Sequence, residues 1–158
     1  MPKILFIDDD IFPKVTQPDG NPIRVMGDYM WYYQEALRDE PGYEVFAVSK
    51  VDEAIDAIRS IRPELVVLDI MMEPGQLLGK SEDVRGGLCT GLVLAKRIQV
   101  DFPEIPIVLL SNAVAPEAPQ QDMAGDLKLN EIVREVFYKP KTTPFCFLDA
   151  VKEILEES

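Results

Sequence analysis

Leu65, Val66, Val67 and Leu68 form an unbroken run of branched apolar residues that stops at Asp69. A strand without apolar/polar alternation is buried on both faces, as happens in a parallel sheet with helices packed on either side. Comparable runs recur along the chain. Lys3 to Ile7 precedes Asp8, Asp9 and Asp10, Tyr43 to Val48 follows a Pro-Gly turn, Ile107 to Leu110 ends at Ser111, and Val133 to Tyr138 ends at Lys139-Pro140. Between them the period changes to that of helices. Asp28 suits an N-cap for a helix whose Tyr29, Tyr33, Ala36 and Leu37 recur on one face up to Pro41-Gly42. Ser49 with Asp52 resembles a capping box ahead of Ala54, Ile55, Ile58 and Ile61, and Pro63 stops that helix. Gly91 to Phe102 turns Leu92, Ala95, Ile98 and Phe102 inward, and Pro144 opens a last helix with Phe147, Leu148, Val151, Ile154 and Leu155 on one face. Five strands alternating with helices predict an α/β domain built on an open parallel sheet.

Three stretches break the pattern. Residues 12–26 carry Pro13, Pro18, Asp19-Gly20 and Pro22, which predict an irregular or hairpin-like insertion. Residues 73–90 are rich in glycine and charge, and residues 113–130 are proline- and alanine-rich with no clean helix, although a short helix just before Val133 fits the pattern. The 158 residues and 47% hydrophobic content suit a single domain, 1–158, with an ordinary core.

The balance of 16 basic against 28 acidic residues gives a net charge of -12, which repels nucleic acid and anionic lipid. Apolar runs such as Ile105 to Leu110 are far short of the roughly 20 residues of a membrane span. No basic-then-apolar leader opens the sequence, so a cytoplasmic protein is expected. Cys89 and Cys146 are neither a disulfide framework nor spaced as zinc ligands, and the apolar context of Cys146 predicts core packing. The chain has no histidine, which removes Ser-His-Asp and papain-like catalysis and His-ligated zinc. Chemistry must run on carboxylates, lysine, hydroxyls and hard metals.

In open α/β sheets the ligand sites lie outside the carboxyl ends of the strands. Asp8, Asp9, Asp69, Ser111 and Lys139 each follow an apolar strand directly, so the topology brings them to one rim. Several carboxylates there repel one another unless a cation holds them, and magnesium, which takes a few carboxylates plus water and phosphate oxygens, fits best. Asp69 then suits a nucleophile toward a phosphoryl group, with Lys139 neutralising charge on its oxygens and Ser111 hydrogen-bonding one of them. Standing alone, adjacent acids after a strand are often no more than a helix-starting turn. Asp10 and Glu73 read as solvated charges, and Met71 and Met72 as packing.

The blocks KILFIDDD, LVVLDIMM, IVLLSNA and FYKP, in this order over almost the whole chain, resemble the response regulator receiver family. The resemblance implies a flavodoxin-like, doubly wound five-stranded parallel sheet of order 2-1-3-4-5 with helices on both faces. It implies Asp69 as phosphoacceptor, Asp8 and Asp9 as the acid pair holding magnesium, Met71 lending its backbone carbonyl to the metal, Ser111 as the switch hydroxyl and Lys139 as the phosphate-contacting lysine. It also implies a histidine kinase or histidine phosphotransfer protein as donor. After Lys139 only 158 − 139 = 19 residues remain, so output is expected through an unidentified protein partner or through passing the phosphoryl group onward.

The chain departs from that family at several points. Asp69 to Gly91 spans 91 − 69 = 22 residues, much longer than the usual interval, and with residues 12–26 it could make a lid, a docking surface or a surface excursion. Val136 stands where the family's aromatic switch residue is expected, and Asn112 where a small residue is usual. Trp31 and Tyr32 lie off the inward stripe of the first helix, either as an exposed contact or packed on the insertion. Two other functions compete: a constitutive pseudo-receiver that binds its partner without phosphorylation, and a phosphohydrolase similar to the haloacid dehalogenase family built on Asp8-x-Asp10. The second lacks a late acidic metal motif and leaves Asp69 without a role.

Overall fold

The computed structural model describes residues 1–8, 29–79, 89–111 and 129–157, with only the backbone for 29–32 and 130. The insertion at 12–26, residues 80–88 of the excursion at 73–90 and the stretch at 113–128 lie outside the described residues, together with Asp9, Asp10, Asp28 and Asn112. In chain order the described elements are β1 (Lys3–Ile7), α1 (Tyr29–Arg38), β2 (Glu44–Val48), α2 (Val51–Ile61), β3 (Leu65–Leu68), α3 (Gly75–Leu78), α4 (Thr90–Asp101), β4 (Ile107–Ser111), α5 (Leu129–Ile132), β5 (Glu135–Tyr138) and α6 (Pro144–Glu156). A single 3-10 turn, Lys139–Lys141, joins the last two. No helix among the described residues is long and apolar enough to cross a membrane.

The five strands form one all-parallel sheet of order β2-β1-β3-β4-β5. Alternation along each strand divides the core in two. Leu5, Ile7, Val66, Leu68, Ile107 and Leu109 face α2 and α4, where Ile55, Ile58, Leu92, Ala95 and Ile98 close over them. Ile4, Phe6, Leu65, Val67, Val108 and Leu110 face α1 and α6, where Tyr33, Leu37, Phe147, Val151 and Ile154 do the same. Both faces of β1, β3 and β4 are therefore apolar, which is why these strands read as continuous runs.

Local chemistry accounts for some helix boundaries. Thr143 caps α6 by accepting the Cys146 amide at 3.1 Å, with Pro144 in the first turn. Helix α2 ends at Ile61 because Arg62 turns left-handed (φ 53°) ahead of Pro63. The capping box expected at Ser49 and Asp52 does not form. Lys50 is the N-cap and makes no side-chain cap, since its ammonium has no lone pair to accept an amide, and the Asp52 carboxylate is engaged elsewhere. It accepts the backbone amides of Gln76 (3.0 Å) and Leu77 (2.7 Å) and thereby caps α3, a single turn inside the excursion after Asp69. These backbone bonds hold the Asp52 carboxyl below its ordinary value. Gly75, at φ +62°, starts that turn, and a Cβ there would lie 2.6 Å from the Asp52 oxygens. Leu78 completes the docking by burying its side chain in the α2 side of the core.

Other boundaries moved. β5 begins at Glu135, since Val133 and Arg134 form the link from α5, the short helix that the pattern before Val133 allowed. Helix α4 starts one residue earlier than expected, at Thr90, and Phe102 lies just past its end. Cys146 is exposed in the first turn of α6, contrary to the expectation of core packing, because that helix turns Phe147 and Leu148 inward instead.

Candidate functional site

The order β2-β1-β3 places a switch point between β1 and β3, where the chain leaves β1 first in one direction and later in the other. Asp8 and Asp69 stand one residue past these two strands. Their amides continue the sheet ladder, Asp8 to the Val48 carbonyl and Asp69 to the Ile7 carbonyl, both at 3.2 Å. Ser111 ends β4 and Lys139 follows β5, so four adjacent strands deliver one polar side chain each to the same rim. All four are buried, Asp8 to 0%, Ser111 to 1% and Asp69 and Lys139 to 6% exposure.

The Lys139 ammonium lies 3.3 Å from Asp8 Oδ2 and 3.5 Å from Asp69 Oδ2. Both distances exceed the roughly 2.7–2.9 Å of a tight charge-assisted bond, as expected of one cation shared between two anions. Burial by itself pushes the lysine down, but the charges of Asp8 and Asp69 outweigh it and hold the ammonium above its ordinary value. The other oxygen of Asp69, Oδ1, accepts the Ile70 amide at 2.7 Å, and the same amide makes a longer contact of 3.4 Å to Ser111 Oγ. One face of the Asp69 carboxylate is thus fixed by its own backbone while the other meets the lysine.

The floor of the site is the first turn of α4. The Gly91 amide donates to the Ile70 carbonyl at 2.8 Å, and the Thr90 hydroxyl donates to the Met72 carbonyl at 2.5 Å. A Cβ on Gly91 would overlap the Asp69 carbonyl oxygen and lie 2.6 Å from Ile70 Cα, so only glycine permits this approach. Met72 is buried, whereas the Met71 side chain is exposed and turned away from the core.

Of the residues expected at the site, Asp8, Asp69, Ser111 and Lys139 are brought together, and Asp9 lies outside the described residues. Two buried carboxylates against one lysine leave one negative charge in excess, and every donor is oxygen, which suits a hard divalent cation. Among the described residues no group of three potential ligand side chains assembles. Val136 is exposed on β5, while the aromatic next to it, Phe137, packs edge-on against Phe147 at 5.3 Å.

Two participants were not singled out from the sequence. Thr90 carried no signal beyond preceding a helix. Tyr33 read only as core, yet its hydroxyl reaches the carbonyls of Lys139, at 3.0 Å, and Thr142.

No family model matches the sequence, and no curated protein sequence does. Solved structures do match over nearly the whole chain. A response regulator receiver domain protein (CheY-like) from Methanospirillum hungatei is similar at 20% identity and a TM-score of 0.67, covering 99% of this chain and 95% of that one. A putative response regulator from Chloroflexus aurantiacus gives 22% identity, a TM-score of 0.65 and 99% coverage of each chain. The receiver domain of NtrX from Brucella abortus gives 23%, 0.65, and 98% and 99% coverage. With the sheet order and the flanking helices already in place, the fold of this chain is that of the response regulator receiver domain.

Proposed function

We propose that this protein is a phosphoacceptor switch of two-component signalling, which takes a phosphoryl group onto Asp69 from a histidine kinase or histidine phosphotransfer protein. The observation that carries the reading is the convergence of Asp8, Asp69, Ser111 and Lys139, all buried, at the switch point of a receiver fold.

An Asp69 carboxylate oxygen attacks the phosphorus, and the new O–P bond forms as the P–N bond to the donor imidazole breaks, the electron pair leaving on that nitrogen. Lys139 gives up its contacts with the carboxylates to meet a phosphoryl oxygen, and the Ser111 hydroxyl donates to another. Asp8, Asp9, Asp69 and the Met71 main-chain carbonyl would hold magnesium, which supplies positive charge to the transferring group. Water later attacks the phosphorus and restores the carboxylate. The protein thus assists its own phosphorylation and dephosphorylation and turns over no separate substrate. A net charge of -12 disfavours nucleic acid and membrane surfaces as targets, so output runs through protein contacts in the cytoplasm.

The test is intact-mass measurement after incubation with a small phosphodonor, with and without magnesium, on wild type and Asp69→Asn. A magnesium-dependent phosphoryl adduct, absent from the variant, is the expected result. A folded protein that forms no adduct sinks the reading. The constitutive pseudo-receiver would then be the better account, and the exposed Val136 at the switch position is the observation that favours it. Turnover of a phosphomonoester that survives Asp69→Asn but not Asp8→Asn would point to a phosphohydrolase instead.

A further inference from the structure

Lys139 is held at two places. Its ammonium is set between Asp8 and Asp69, and its main-chain carbonyl accepts a hydrogen bond from Tyr33 of α1, a residue 106 positions away in sequence. Tyr33 is almost fully buried and lies edge-on to Phe147 at 5.3 Å, so its ring cannot swing away without opening the α1–α6 side of the core. The same hydroxyl, with one proton to give, makes its shorter contact with the Thr142 carbonyl, so the bond is shared between the two ends of the turn that follows β5. Thr142 closes that turn through its own amide to the Lys139 carbonyl at 3.2 Å and its hydroxyl to the Tyr138 carbonyl at 2.9 Å.

The direction of these contacts decides their use. A buried tyrosine hydroxyl needs an acceptor, and many carbonyls would serve. This one meets the backbone of the residue that supplies the site's ammonium. Lys139 must leave two carboxylates at 3.3 and 3.5 Å and meet a new anion while its backbone stays in register, and only an anchored backbone keeps that short travel productive. We propose that Tyr33 is a positioning residue for phosphoryl transfer to Asp69, acting through the backbone of the turn that Lys139 opens and Thr142 closes. This inference rests on the phosphoacceptor reading above.

The test measures the rate of adduct formation from a saturating small phosphodonor with magnesium in wild type, Tyr33→Phe, Lys139→Ala and the double variant. Phenylalanine keeps the ring on Phe147 and removes only the hydroxyl. The expected result is a fall of about tenfold in Tyr33→Phe, less than the roughly 10²-fold that a 1 Å misplacement of a reacting group can cost. In the Lys139→Ala background the same substitution should have no further effect, because its route to the chemistry is gone. A wild-type rate in Tyr33→Phe, or an equal further fall in the Lys139→Ala background, overturns the inference and leaves the phosphoacceptor reading standing. Absence of any adduct on wild type removes both. If Tyr33→Phe does not fold, 3-fluorotyrosine placed at position 33 retains the hydroxyl and reports its hydrogen bond. Its fluorine resonance should move on addition of beryllofluoride and magnesium to the wild-type background and stay still in Lys139→Ala. An unmoved resonance in both also overturns the inference.

Discussion

Replacing Gly91 by alanine puts the contact between α4 and the Asp69 loop to a quantitative test. The added methyl would lie 2.6 Å from Ile70 Cα and 2.8 Å from the Asp69 carbonyl carbon, besides overlapping that carbonyl's oxygen. All three are main-chain atoms, so no rotamer change relieves the clash. Reaching the shortest ordinary separation of 3.4 Å from Ile70 Cα alone requires a shift of 3.4 − 2.6 = 0.8 Å between the helix start and the loop, and clearing the Asp69 carbonyl oxygen requires more. Overpacking of this kind costs about 3 kcal/mol at the upper end of its usual range. Alanine returns about 1 kcal/mol through its better helix propensity, leaving a net loss of about 2 kcal/mol. For a domain of this size that corresponds to a fall in Tm of about 4–8 °C. Thermal and urea unfolding followed by circular dichroism would measure it. The same displacement carries Asp69 away from Lys139 and should slow adduct formation in the mass assay. A variant as stable as wild type, or stabilised as an unobstructed helical glycine would be, refutes the close approach.

Asp52 and Lys139 make two further predictions. Backbone hydrogen bonds depress the Asp52 carboxyl, so its contribution is complete at neutral pH and disappears as pH falls from the ordinary aspartate range through its lower folded value. Amide protection at Gln76 and Leu77 should fall over that acidic window in wild type and be weaker and flat in Asp52→Asn. Protection in wild type that ignores acid would show that the carboxylate does not hold α3. Lys139 is raised above 10.5, so its contribution is complete below that value and is lost as pH climbs through the higher folded one. Lys139→Met should therefore lose about 3 kcal/mol at neutral pH by leaving two buried carboxylates without their cation. Magnesium should restore part of the loss. Urea unfolding with and without magnesium would decide, and a loss indifferent to the metal would argue against a cation site between Asp8 and Asp69.

The strands and the rim chemistry were legible because both are written locally. An apolar run buried on two faces needs no partner to be recognised, and the residue after it is placed by the run itself, as with Leu65–Leu68 and Asp69. What could not be read depends on distant partners. Ser49 and Asp52 have capping-box spacing, but the amides of Gln76 and Leu77 took the carboxylate, a choice set by how the chain returns to α2. Helix α3 has four residues and no periodicity to detect. Cys146 has apolar neighbours in sequence, yet the angular position fixed by the Thr143 cap turns it outward. The core position of Tyr33 could be predicted from its spacing to Leu37, but the target of its hydroxyl lies beyond β5.

The two rims of the sheet differ in how much chain they spend between elements. At the amino ends of the strands the links are 39–43, 62–64, 102–106 and 133–134, none longer than five residues. At the carboxyl ends two links are as short, 49–50 and 139–143, but 8–28 and 69–89 each hold 21 residues, the second including α3, and 112–128 holds 17. Strand length cannot absorb such variation, because adding one residue within β3 would exchange the two half-cores. In this chain the long links leave the sheet at the ends of β1, β3 and β4, where Asp8, Asp69 and Ser111 stand. The amino-end links of this chain are short, and the strands and helices they join carry the packing. The length of the long carboxyl-end links can change without a shift of register in either half-core.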